Sequence, residues 1–157
     1  MTQPSHEPMK KGFFTIMAAQ FFSSLADNAL LVAAIELLKA SNAPLWHVSA
    51  LAPMFALFYV VLAPFVGAFA DAYPKGQVMF VSNFIKVIGC LFMLFGGHPL
   101  LAYAVVGLGA AAYSPAKYGI LTELLPASQL VKANGWIEGL TVASIIMGIL
   151  LGGQLIN

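Results

Sequence analysis

Gln20, Ser23, Ser24, Asp27 and Asn28 recur three and four positions apart inside an otherwise apolar run. On a helix this spacing puts them on one face, so they form a single polar stripe with a carboxylate in it. A charged side chain at the centre of a bilayer helix costs roughly 2.5–3.5 kcal/mol on insertion scales. Something must offset that cost for Asp27. Two readings fit: a polar seam that joins helices, or a stripe facing a watery cavity. Ionisable groups within a membrane segment are functional candidates by default, because lipid exposure is so unfavourable.

Further along, "GLGAAAYSPAKYGI" places Lys117 among small residues, with Tyr113 one helical turn before it. Pro115 lacks a backbone donor, and the segment is expected to break or kink there. Broken helices near ionisable groups mark substrate sites in transporters. Lys117 is either a cationic partner for a ligand or a lysine that snorkels to the interface. It lies closer than Asp27 to the cytoplasmic side assigned below, so the two charges are suited to the two ends of a zwitterion rather than assured of touching. Asn134, Glu138 and Thr141 share one face of a later segment, where Glu138 is either a second cavity acid or an acid near a helix start. Lys86 is a third intramembrane charge; it snorkels, pairs with an acid or faces the cavity. Gly107, Gly109 and Ala112 mimic a GxGxxA dinucleotide fingerprint. That motif needs a strand–turn–helix unit, and close helix packing explains the small residues better. "GWIEG" and "GILLG" are GxxxG patterns of the kind that favours helix contact. No cofactor is called for.

The elements that must position these residues are membrane helices. Of the 157 residues, 61% are hydrophobic and 8% charged, against about 45–50% and about 25% in soluble domains. That is too little charge to cover a soluble surface, so membrane lipids are the expected surroundings. A span needs about 20 mostly apolar residues. Five segments qualify: residues 13–38, 48–69, 78–95, 100–124 and 130–155. The fold class expected is an all-α polytopic membrane protein. The links are short and carry Pro or Gly, which makes sequential helices antiparallel neighbours. With a cytoplasmic N-terminus, Lys10, Lys11, Lys75 and Lys132 fall inside and only Lys39 outside, as the positive-inside rule asks. The polar start is not a signal peptide, because the apolar run after it is too long and no cleavage site closes it.

Several function classes drop out. A net charge of +1 gives no basic field for nucleic acid. Cys90 is the single cysteine, so there is no internal disulfide and no CxxC site. A lipid acyltransferase commonly needs an acid five positions after a histidine, but His6, His47 and His98 are followed there by Lys11, Ala52 and Tyr103. No GxSxG elbow is present, and an enzyme is not expected.

Gly67, Asp71 and Lys75 in "GAFADAYPKG" resemble a degenerate copy of the cytoplasmic loop motif of the major facilitator superfamily. Ala72, Pro74 and Gly76 depart from it. Together with "ADNALL", "AAAYSPAKYGIL" and "LVKANG", the whole chain resembles the bacterial lysophospholipid transporters of that superfamily. The resemblance implies a partial N-terminal bundle of a twelve-helix protein, with the C-terminal half missing and the first and fourth helices lining a central cavity. It implies movement of lysophosphatidylethanolamine and related lysolipids from the outer to the inner leaflet of the bacterial inner membrane, for re-acylation by an acyltransferase. Under it, Asp27 attracts the ammonium and Lys117 the phosphate, with Gln20, Asn28, Tyr113, Asn134 and Glu138 nearby. Gly67, Asp71 and Lys75 bias a conformational equilibrium. The alternative is a proton-coupled exporter of small amphipathic molecules, with Asp27 or Glu138 carrying the proton.

Overall fold

A computed structural model describes residues 11–156. Lys10 and His6 lie outside the described residues. Five helices follow in order: α1 (Lys11–Ala40), α2 (Leu45–Ala72), α3 (Lys75–Leu94), α4 (Pro99–Leu124) and α5 (Ala127–Ile156). All five are long and apolar enough to cross a membrane. Most ends fall one to three residues outside the expected spans, while α3 stops at Leu94, one residue short, and α4 stops at Leu124 as expected.

The stops have local causes. After α1 the chain enters the left-handed region at Asn42, and the Ala43 amide reaches back to the Leu38 carbonyl at 3.0 Å. After α3, Gly96 takes φ 86°, and the Gly97 amide bonds the Phe92 carbonyl at 2.8 Å. Both closures satisfy carbonyls that a helix end leaves open. Pro44 and Pro74 precede α2 and α3, and Pro99 opens α4 behind His98, where a missing amide costs least. The His47 and His98 rings lie 5.2 Å apart, so the α1–α2 and α3–α4 links share one face of the bundle.

The expected break at "YSPAKYG" is not seen: α4 is helical from Pro99 through Leu124, with Pro115 inside it. One proline deletes one backbone hydrogen bond, and packing on neighbouring helices holds the rest. Pro53 and Pro64 are carried inside α2 in the same way.

α4 is the buried centre, with small residues on its contact faces. A Cβ on Gly109 would sit 2.5 Å from the Ser82 carbonyl oxygen, and one on Gly107 would overlap the backbone of Phe55. Thus α4 holds α3 on one side and α2 on the other. α1 packs chiefly on α5, where a Cβ on Gly148 would lie 2.5 Å from the Leu25 carbonyl oxygen. "GILLG" is therefore a packing motif. "GWIEG" is not one among the described residues, since Gly135 and Gly139 face open space. The bundle consists of a trio (α2, α3, α4) and a pair (α1, α5), with fewer contacts between the groups than within them. Large apolar side chains such as Phe22, Phe65, Phe80 and Leu94 cover the outside, as lipid-facing surfaces require.

Candidate functional site

A cavity of about 340 Å³ opens between the trio and the pair. The polar stripe of α1 supplies Gln20, Ser23, Ser24, Asp27 and Asn28 to its lining. Lys86 enters from α3, Tyr113 and Lys117 from α4, Tyr59 from α2 and Thr141 from α5. Sequence reasoning named most of these. It missed Phe55, Tyr59, Tyr103, Ser114 and Ile145 as lining residues. Phe55 and Tyr59 sit four apart on α2, a spacing that signals a shared face, but no charge drew notice to them.

Asp27 has a partner, and it is Lys86. The Lys86 ammonium donates to Asp27 Oδ2 at 2.6 Å and to Ser23 Oγ at 2.7 Å. Ser23 Oγ donates in turn to Asn83 Oδ1 at 2.9 Å. This network answers the question of what offsets the intramembrane carboxylate: the charge is neutralised across the α1–α3 gap. Of the three roles open to Lys86, it takes two, pairing with the acid while lining the cavity. Gln20 Nε2 donates to Thr141 Oγ1 at 2.9 Å, joining α1 to α5. The Asn28 amide donates to the Ser24 carbonyl of its own helix at 2.8 Å. Tyr113 is buried, and its hydroxyl has no hydrogen-bond partner among the described residues. Such a group is costly to leave unpaired, so it is available to a ligand atom or a water.

Lys117 does not meet Asp27. Its ammonium lies 3.9 Å from Glu138 Oε1 and 4.3 Å from the centre of the Tyr118 ring. Lys117 is 5% exposed, so it does not snorkel into solvent along the protein surface. Glu138 lies on the exposed side of α5 and reaches the cavity only through Lys117. Asn134 is exposed one turn earlier and is not among the lining residues.

At the other site named from sequence, Lys75 donates to Asp71 Oδ1 at 2.9 Å and to the Ala70 carbonyl at 2.8 Å. Asp71 is in the last turn of α2 and does not cap α3, whose N-cap position is Pro74. An acid at a helix C-terminus opposes the macrodipole, and the lysine offsets it. The stem of Lys75 also runs against Gly119, where a Cβ would lie 3.0 Å from Lys75 Cε, so this loop touches α4. Gly67 lies on the exposed side of α2, with none of the described residues within 4 Å of its Cβ position.

The family description Major Facilitator Superfamily matches residues 16–157, most of the chain. The chain belongs to the major facilitator superfamily. It is a multi-pass membrane protein of all-helical fold. Among curated major facilitator relatives, it is 50% identical over 147 residues to the "Lysophospholipid transporter LplT" of Yersinia enterocolitica. It is 47% identical over 152 residues to the protein of that name from Cronobacter sakazakii, and 49% identical over 147 residues to that from Yersinia pestis. These alignments cover 94%, 97% and 94% of this chain. They cover 36%, 38% and 36% of the respective relatives, so the chain spans a little over a third of their length. No solved structure matches the chain significantly. In this superfamily member the aligned region takes in the cavity and the Asp71–Lys75 loop together, since both lie within residues 16–157.

Proposed function

We propose that this chain forms the head-group half-site of a lysophospholipid transporter. The observation that carries the proposal is the pair of buried lysines in one cavity: Lys86 hydrogen-bonded to Asp27, and Lys117 with a carboxylate only at 3.9 Å and no hydrogen bond from its ammonium among the described residues. A phosphate stripped of water needs a cation, and an ammonium is a compact three-donor charge suited to it. The relatives near 50% identity, named lysophospholipid transporters, give the phosphate its molecular context. The cavity is near the small end of ligand pockets, which run to about 300–1,000 Å³. It holds a polar head, and the acyl tail stays in apolar surroundings, because burying the head in hydrocarbon is what costs.

Lys117 takes the phosphate. Gln20, Asn28 and Tyr113 offer hydrogen bonds around it, and Glu138 and Asn134 lie at the rim. An ethanolamine ammonium is drawn towards Asp27, but it competes there with Lys86, so ammonium-bearing heads gain less than a bare carboxylate would give. The proposed transport runs from the outer to the inner leaflet of a bacterial inner membrane, with the N-terminus cytoplasmic. Gly67, Asp71 and Lys75 bias the closed state at the inner face, and an acyltransferase consumes the delivered lysolipid.

The test is Lys117→Met, made in this segment within a chain of the relatives' full length. Uptake of lysophosphatidylethanolamine by spheroplasts should fall at least about tenfold, the equivalent of a lost charge-assisted contact of about 1.4 kcal/mol, at unchanged protein level. Lys117→Arg should keep an intermediate rate. Normal uptake by Lys117→Met would remove the phosphate contact. Uptake that collapses with the proton gradient and ignores Lys117 would favour a proton-coupled exporter.

A further inference from the structure

We infer that Tyr118 controls how available Lys117 is, by holding Glu138 just short of it. This rests on the reading of the cavity as a phosphate-bearing head-group site. Tyr118 donates its hydroxyl hydrogen to Glu138 Oε1 at 2.5 Å. The same oxygen lies 3.9 Å from the Lys117 ammonium. That distance is near enough for the carboxylate to stabilise a buried cation and too long for a hydrogen bond, which needs about 2.7–3.2 Å. No hydrogen bond from the Lys117 ammonium is found among the described residues, whereas Lys86 makes two.

The three groups have unequal freedom. Lys117 is fixed in the packed interior at 5% exposure, while the Glu138 side chain is 53% exposed. The glutamate is therefore the mobile partner, and the phenol anchors it. The Tyr118 ring also sits 4.3 Å from the ammonium, so its π-face partly compensates the charge without occupying a donor. α4 and α5 have few other contacts, and among the described residues the hydrogen bond that Glu138 accepts comes from Tyr118. Without the phenolic hydrogen bond the carboxylate is free to close on Lys117. A contact ion pair there competes directly with a substrate phosphate for the same three donors. Tyr118 is thus a positioning residue, acting on substrate through Glu138 and Lys117.

The experiment measures binding to the purified chain of the relatives' full length in nanodiscs. Two probes are used, lysophosphatidylethanolamine and n-dodecyl phosphate, which carries the phosphate without the rest of the head. Tyr118→Phe should raise the Kd for both probes about tenfold, equivalent to about 1.4 kcal/mol. Glu138→Gln removes the carboxylate that Tyr118 holds, so in that background the phenol has nothing left to control. The double variant Tyr118→Phe/Glu138→Gln should bind both probes within about twofold of Glu138→Gln alone, or about 0.4 kcal/mol. A merely structural role for Tyr118 weakens binding in both backgrounds alike. An unchanged Kd in Tyr118→Phe, or a double variant about tenfold weaker than Glu138→Gln alone, would each overturn the inference while leaving the transporter reading intact. Dodecyl phosphate following the expected order, with no lysolipid binding by any form, would uphold the control of Lys117 and defeat the lysolipid assignment. Neither probe binding the unmodified protein would defeat both.

Discussion

Lys86 and Lys117 are the same residue type in one cavity, and their surroundings give them different work. Lys86 gives hydrogen bonds to both Asp27 and Ser23, while Lys117 has a carboxylate only at 3.9 Å. Removing one member of a buried pair costs about 3–5 kcal/mol, largely because the other charge is left uncompensated. Asp27→Asn should therefore lower the thermal stability of the detergent-solubilised protein and, in the transporter proposed above, reduce uptake of zwitterionic lysolipids somewhat more than that of anionic ones. Adding Lys86→Met should restore the melting temperature, since it removes the stranded ammonium. A single variant as stable as the parent, or a double variant no better than the single, would show that the pair is not what holds α1 to α3. The stripe on α1 was legible in the sequence, because helical spacing alone puts Gln20, Ser23, Ser24, Asp27 and Asn28 together. The partner was not. Periodicity relates residues within a helix, and nothing in "NFIKVIG" measures a distance to α1. Tyr118 was missed for the same reason: its importance lies in one hydrogen bond to another helix.

Glycine distribution decides which helices approach closely. At Gly109 and Gly148 an added methyl group would meet a backbone oxygen at 2.5 Å, and backbone cannot swing aside as a side chain can. At Gly139 it would meet none of the described residues within 4 Å. Gly109→Ala and Gly148→Ala should each destabilise the bundle by about 1–3 kcal/mol, the usual cost of overpacking. Gly139→Ala should be neutral or slightly stabilising, because alanine is the better helix former. Thermal unfolding of the three variants in one detergent checks this; equal losses at Gly139 and Gly148 would mean the contacts do not set stability. The existence and rough limits of all five helices were readable from apolar run length. The two GxxxG patterns were not separable by sequence, since which face a glycine presents depends on the neighbour's path. The expected break at Pro115 gave too much weight to one missing hydrogen bond in a helix packed on two sides.

Over the whole molecule, the trio and the pair meet along a seam where polar contacts concentrate: Lys86 to Asp27, Ser23 to Asn83, and Tyr118 to Glu138. The cavity lies along the same seam. A sequence read helix by helix could not show this grouping, because α1 and α5 are the most distant spans in the chain and yet pack together. The proposed orientation is checked by labelling intact cells with a membrane-impermeant thiol reagent, after Cys90 is replaced by Ser. A cysteine at His98 should react and one at Gln77 should not; the opposite pattern would invert the protein. The interleaving also has a consequence in time. Lys86 follows Asp27 by 59 residues, which at ribosomal rates of about 5–20 residues per second is an interval of roughly 3–12 s. For those seconds the newborn first helix carries a carboxylate whose counter-charge has not yet been synthesised. Its other packing surface, on α5, is the last helix of the segment to emerge. The ion pair can therefore form only after the third helix has emerged, and until then the first helix bears the cost of its carboxylate alone.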